Sequence, residues 1–360
     1  MKNLTFKLEI SLQRCVKNAW IGHPHFNSRS KPILYLVLFL ITLSGCTERQ
    51  IRVHFENAQR QQAHGHIDSA MAEYRTILTL DPKAADAHNA LGALYARRGS
   101  FQQALTHHRQ AHAITPDQPD IHFNLGIAYV GLGQTDSAMI AYQAVIKKEP
   151  KHSDAHNGLG TVYAMLGNIN NARQHYQKAV EHNPRNADAY NNLGLLDASQ
   201  GQLIEAAINY QKAIGHQPNF PDALNNLGSA LAELGQYDQA QPHFENALRL
   251  NPNHQLARDN LTQIQEQKKR IDAGEMRARH ILVRTEQEAK DVLTKLKDGA
   301  PFAALVKIHS IDPRYDGDVG AFLPGTLMPE FEKAVKQTQP SRIDGPFKTP
   351  AGYHIIHRLY

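Results

Sequence analysis

Cysteine is almost missing from this chain. Of its 360 residues only Cys15 and Cys46 are cysteines, so whatever folds beyond residue 46 does so without an internal disulfide. An excess of one charge is missing too. Lys and Arg total 39 against 34 Asp and Glu, and the formal +5 is spread along the chain with no basic cluster interleaved with aromatics. That excludes nucleic acid as an expected partner. A bilayer-spanning run is absent as well. The apolar stretch at 33–43 has eleven residues, where a spanning helix needs about 20. With 41% apolar residues and no low-complexity tract, disorder over most of the length is also excluded. Two or three folding units are the prior for this length.

The short apolar stretch, ILYLVLFLITL, follows Arg29 and Lys31 and precedes Ser44-Gly45-Cys46. That order of charge, apolar run and small residues reads as a signal peptide over 1–45. Residues 1–28 are long for its leading part, and a start codon further downstream would shorten them. Leu43-Ser44-Gly45-Cys46 resembles a bacterial lipobox. The resemblance implies cleavage before Cys46, a diacylglycerol on its sulfur, and a lipidated linker over 46–50. Thr47, where an aspartate is absent, implies by the same resemblance the periplasmic face of the outer membrane in a Gram-negative cell. In a Gram-positive host it implies the outer face of the single membrane.

Beyond residue 50 the chain has a period of 34. Prolines 82, 116, 150, 184, 218 and 252 keep that step. So do glycines 92, 126, 160, 194 and 228, glycines 65, 99, 133, 167, 201 and 235, and alanines 70, 104, 138, 172, 206 and 240. A ring ladder runs Tyr74, His108, Tyr142, Tyr176, Tyr210 and Phe244. Each period holds two helical patterns. One glycine ladder ends the first helix, and the prolines stop the second. The other glycines and the alanines are small where the two helices cross, and the rings fill space between repeats. One repeat cannot bury its apolar face alone, so the stack is the stable object.

The pattern resembles the tetratricopeptide repeat family over 51–254, as six repeats, with a polar-faced closing helix and linker at 255–275. The first repeat departs from the pattern, with Ala58 in place of glycine. The resemblance implies an all-α superhelix whose concave groove binds peptides or partner proteins. Asp86, Asp120, Asp154, Asp188 and Asp222 open the first helices, where acids favour the helix dipole. Asn124, Asn192 and Asn226 recur one turn on, with Ala90 and Gly158 interrupting. Asparagine is a mediocre helix former, so this row is a candidate for gripping an extended peptide backbone. His108 and His112 have helical i, i+4 spacing but no cysteine or carboxylate joins them. No metal and no cofactor is expected.

At residue 276 the period stops. RARHILV is a strand pattern, helical stretches follow, and GPFKTPAGYHIIHRLY reads as two strands around a turn. The order β-α-α-β-α-β-β predicts a small α+β domain. His280-Ile281-Leu282, Ser310-Ile311-Asp312, Gly317–Phe322, Met328-Pro329-Glu330-Phe331 and Gly352–Ile356 are similar, in that order, to the parvulin family of prolyl isomerases, an FKBP-like fold, over 276–360. The resemblance implies catalytic roles for His280, Asp312, Thr349 and His354, and a proline pocket walled by Val319, Leu327, Met328 and Phe331. Leu327 departs from the usual methionine, an apolar swap of similar volume. A groove-lining ring at Phe331 would add little to the core. Val283–Glu288 carries Arg284 beside two glutamates, a poor phosphate site, so no phosphate requirement is expected.

Two functions follow. One is an isomerase and folding factor for exported polypeptides with X-Pro bonds, its repeats holding client or partner proteins. The other is a membrane-tethered scaffold whose last domain binds chains without catalysis. A repeat-containing glycosyltransferase is excluded, since only 85 residues follow the linker.

Overall fold

The computed structural model describes residues 31–312 and 317–360, with side chains from Thr47 onward. Of the leader expected over 1–45, residues 1–30 lie outside the described residues, as does the side chain of Cys46. Among the described residues no helix is long and apolar enough to cross a membrane. They part between His182 and Asn183 into two compact units, and each is taken by itself.

The first unit holds α1 (Lys31–Ala63), α2 (Ile67–Leu80), α3 (Ala85–Arg97), α4 (Phe101–Ile114), α5 (Pro119–Gly131), α6 (Thr135–Lys148), α7 (Ser153–Met165) and α8 (Ile169–His182). They form antiparallel hairpins. Gly167, at the end of α7, has φ +71°, and its N–H bonds to the Ala164 carbonyl at 3.0 Å. A left-handed residue of this kind lets the chain reverse at once into the next helix. The first-turn acids fall where the dipole favours them, at Asp86, Asp120 and Asp154.

The second glycine ladder and the ring ladder prove to be one device. A Cβ on Gly126 would lie 2.5 Å from the Tyr142 ring, and one on Gly160 2.6 Å from Tyr176. Each ring therefore lies flat on the glycine of its own repeat. Tyr142 also meets Gly158 of the next repeat, where a Cβ would come within 2.5 Å. That explains the glycine interrupting the asparagine row. Gly160→Leu must push the buried Tyr176 ring aside. We expect a loss of about 3 kcal/mol, far beyond the ~1 kcal/mol that a better helix former returns. Urea unfolding of the full chain checks it, and an unchanged midpoint would refute the packing.

The prolines do more than stop helices. Nε2 of His88, His122 and His156 donates to the carbonyl of Pro82, Pro116 and Pro150, six residues earlier, at 3.2, 2.9 and 3.0 Å. With Nε2 protonated, the Nδ1 of His88 and of His156 is left to accept from His107 and His175, each at 3.1 Å. These histidines are interhelical.

The second unit opens with α9 (Ala187–Ser199), α10 (Leu203–His216), α11 (Pro221–Glu233) and α12 (Tyr237–Leu250), then a closing helix α13 (Gln255–Asp272). Ala257 and Ile264 of α13 pack into the core made by Leu227, Leu231, Phe244 and Ala247. The rest is β1 (Met276–Val283), α14 (Glu286–Lys297), α15 (Phe302–His309), β2 (Asp318–Phe322), α16 (Pro329–Gln337), β3 (Ile343–Thr349) and β4 (Gly352–Arg358). The element order is the one read from sequence. The four strands form an antiparallel sheet ordered β2-β1-β4-β3. Alternation along a strand sends neighbours to opposite faces. Ile281, Val283 and Ile355 pack under α14 and α15, while Met276, Ala278 and Ile356 pack under α16. His280 and His354 have the same parity as the second set, so both face α16.

Candidate active site

In β1 and β4 the register puts His280 opposite Ile356 and Leu282 opposite His354. The two histidines are therefore diagonal neighbours on one face. Their Nδ1 atoms lie 2.9 Å apart, and the rings are nearly parallel, at 17°. One Nδ1 must donate and the other accept. Thr349, at the end of β3, brings Oγ1 to 2.8 Å from Nε2 of His354 and accepts the Ala351 N–H at 3.1 Å. On the other side, Oδ2 of Asp312 stands 3.7 Å from Nε2 of His280.

The carboxylate decides the direction. If His280 Nδ1 donated to His354, the bare Nε2 of neutral His280 would present a lone pair to Asp312. If His354 donates instead, His280 carries its proton on Nε2, toward the carboxylate. Nε2 of His354 is then bare and accepts from the Thr349 hydroxyl. The hydrogen bonds run from the Ala351 amide through Thr349 and His354 to His280, whose Nε2 faces the Asp312 carboxylate across 3.7 Å as an electrostatic contact. Such a one-way chain strengthens each of its bonds. Burial, with His280 beside it, pushes the His354 pKa down to about 4. The imidazole is therefore neutral near pH 7.

Phe331 closes the site from α16. Its ring meets His280 and His354 edge-on, with centroids 5.5 and 5.2 Å away and planes at 84° and 67°. Val319, Leu327 and Phe347 border the same cluster, whereas Met328 caps α16 with its side chain exposed. The structure thus brings together seven of the eight residues singled out in 276–360, and Met328 is not among the packed ones. The asparagine row is placed differently from a free peptide-binding wall. Asn124 donates to Asn89 and Asn226 to Asn191, both at 3.0 Å, tying each helix to the preceding repeat. Asn192 also has a partner.

Three supporting residues, two of them inside the quoted motifs, carried no assigned role in sequence. Ser310 accepts the amides of Leu282 and Asp312, both at 3.2 Å, and so fixes the loop bearing Asp312 to the edge of β1. Asp318 accepts from Arg277 at 2.5 Å and from the Gly320 amide at 2.9 Å, which orients the start of β2. Glu332 is buried, and its carboxylate accepts the amides of Gly325 and Leu327 at 2.9 and 2.8 Å. Those amides hold its pKa below the usual carboxylate range. In sequence Glu332 looked like any first-turn acid. Glu332→Gln replaces an acceptor oxygen by a donor and loosens the 325–327 loop. We expect kcat/KM for proline peptides to fall on the order of tenfold through misplacement of Leu327, with circular dichroism unchanged.

Comparison with known proteins bears on this geometry. Residues 254–359 match the PPIC-type PPIASE domain. The chain is similar in part to the foldase protein PrsA of Caldanaerobacter subterraneus subsp. tengcongensis, 48% identical over 84 residues. It is also similar to part of the chaperone SurA of Saccharophagus degradans, 42% identical over 92 residues. Each alignment takes in 22% of this chain, and 28% and 21% of those proteins, so the chain spans less than a third of either relative. Upstream of the PPIC-type domain, tetratricopeptide repeat models match residues 94–133, 123–181, 166–198, 194–235 and 221–254. Solved structures agree on the repeat fold. PilW, a type IV pilus biogenesis factor, is 19% identical with a TM-score of 0.51, covering 60% of this chain and 98% of its own. The Cut9–Hcn1 assembly is 18% identical with a TM-score of 0.52, covering 63% and 48%. The chain joins tetratricopeptide repeats to a parvulin-type prolyl isomerase domain.

Proposed function

We propose that this chain is a peptidyl-prolyl cis/trans isomerase acting as a folding factor for exported proteins. Its repeats hold client or partner chains, and Cys46 carries a lipid that anchors it to the cell envelope. The reading places the anchor on the periplasmic face of a Gram-negative outer membrane and the isomerase domain in 276–360. The observation that carries the enzymatic part is the proton-ordered chain Thr349–His354–His280–Asp312 set against an apolar wall.

Rotation about an X-Pro bond must overcome roughly 18–20 kcal/mol of amide resonance. No bond is broken, so the site needs no nucleophile. It must bind the twisted amide better than either planar form. Phe331, Leu327, Val319 and Met328 grip the proline ring and keep water out. As conjugation is lost, the imide nitrogen regains a lone pair and the carbonyl turns. The polar floor of His280, His354, Thr349 and Asp312 offers these changing groups a pre-arranged field. In this reading Asn124 of the first unit and, separately, Asn192 and Asn226 of the second are the candidates for holding peptide backbone.

The test is isomerisation of short X-Pro peptides by the purified chain, with circular dichroism alongside. Asp312→Ala should lower kcat/KM by about a hundredfold while the fold persists. Peptides with phosphoserine before proline should gain nothing, since Arg284 lies beside Glu286 and Glu288. A folded chain with no rate above uncatalysed exchange would leave the tethered scaffold as the better reading. Cys46→Ser should release the protein from membranes, and unchanged partitioning would remove the anchor.

A further inference from the structure

The second unit contains a cavity away from the histidine pair. It measures about 700 Å³, within the size range of ligand sites. One wall is α11 to α13, with Ser229, Glu233, Tyr237, Asn260 and Gln263; the other is the face of the central strands β1 and β4, with Arg277, Arg279 and His357. Arg279 and His357 face each other across β1 and β4, on the opposite face of the sheet from His280 and His354. Nε of Arg279 and Nδ1 of His357 are both buried with no protein hydrogen-bond partner. A buried donor left unpaired costs on the order of 1–3 kcal/mol. Arg277 forms the ion pair with Asp318, and Arg279, which feels that carboxylate only at longer range, keeps an unpartnered Nε.

We infer that this cavity is a second polypeptide-binding site, which captures a carboxylate on Arg279 and His357. The occupant is an extended chain segment for three reasons. The cavity is lined by the side-chain amides of Asn260, Gln263 and Gln267, and Nε2 of Gln267 is buried with no protein hydrogen-bond partner. Amides of this kind suit the main chain of a peptide, which carries donors and acceptors alike. A guanidinium fork then suits the one group in a neutral backbone segment that is anionic, its terminal or side-chain carboxylate. Glu233 is the single acid on the lining, against two arginines. This inference rests on the reading that the chain handles polypeptides, yet its carboxylate-binding pair, Arg279 and His357, lies on the opposite face of the sheet from the isomerase histidines.

The experiment uses the full chain and a labelled, short, proline-free Gly/Ser peptide, which offers the isomerase cleft nothing. Three forms are compared by fluorescence anisotropy: free C-terminus, amidated C-terminus, and amidated with one internal aspartate. Binding of the first or third with little binding of the second supports the site, and tells a chain end from an acidic side chain. Arg279→Gln should weaken carboxylate binding about tenfold. In case that change disturbs β1, exposed Gln263 gives a second handle: Gln263→Glu should weaken binding and Gln263→Lys should strengthen it. None should alter isomerisation of short X-Pro peptides. If the amidated neutral peptide binds as well as the free acid, or if no substitution moves the affinity, the cavity is a water-filled cleft only and the inference is overturned. Carboxylate binding without any isomerase activity would overturn the proposed function and leave this site standing.

Discussion

Phe331→Ala is expected to destabilise the sheet domain strongly, not only to open its cleft. In sequence Phe331 reads as a groove wall that contributes little to the core. The structure corrects this. The side chain is 4% exposed and packs with Met276, Ala278, Phe322, Val335 and Ile356. It is also the ring on which both histidines rest. Removing it costs about 3–5 kcal/mol, against a whole-domain stability of roughly 5–15 kcal/mol. The urea midpoint of the second unit should fall steeply, and isomerase activity with it. Phe331→Leu keeps most of the volume and should retain the fold while the pocket loses its flat wall, so that kcat/KM falls without unfolding. A Phe331→Ala chain with an unchanged midpoint would show that the ring is a wall after all.

Acid should destabilise the protein well before its carboxylates protonate. Burial holds His108 and His175 down to about 4, each with a neighbouring histidine adding to the effect, and His354 stands at about 4 as well. The unfolded chain has histidines near 6.5, so between about 6.5 and about 4 it binds protons that the folded chain refuses. A group of this kind gives its full stability above the unfolded value, and loses it progressively as pH falls through 6.5 toward the folded value. The sharpest case is His108. It is fully buried on Gly92, Nδ1 donates to Asn89 at 2.9 Å, and Nε2 has no partner to receive an added proton. The shift at His108 alone is worth about 3 kcal/mol when the pH reaches 4. The urea midpoint of the first unit should therefore drop between pH 7 and pH 5. His108→Tyr installs the ring that Tyr142 and Tyr176 supply in later repeats, and should flatten that dependence. A midpoint independent of pH over this range would contradict the buried histidines.

What could be read from sequence differs between the two parts for a physical reason. In the repeats a small signal recurs at a fixed step, so helices, turns and closing helix were legible. The partner of each ladder was not. That Tyr176 lies on Gly160, or that His156 bonds the Pro150 carbonyl, depends on how helices cross, which no single-helix pattern encodes. In the last domain the residue types of the site were legible as ordered motifs. The direction of the proton chain was not, because it follows from which nitrogen faces Asp312. Glu332 and Ser310 were hidden for a related reason. Their work is done on backbone amides of other segments, and such amides leave no trace in the identity of the residues that carry them.

The passage from α13 to β1 has a mechanical consequence. Only residues 273–275 separate the end of the closing helix at Asp272 from the start of the strand bearing His280. Three residues allow at most about 10 Å of extension. Even that slack is pinned: the Tyr360 hydroxyl holds Glu275 at 3.1 Å, and Ser341 reaches the Leu234 carbonyl at 3.1 Å. The joint is a stiff coupling and not a tether. A torque on the last repeats is delivered straight to the central strand, and through it to the spacing of the two imidazoles.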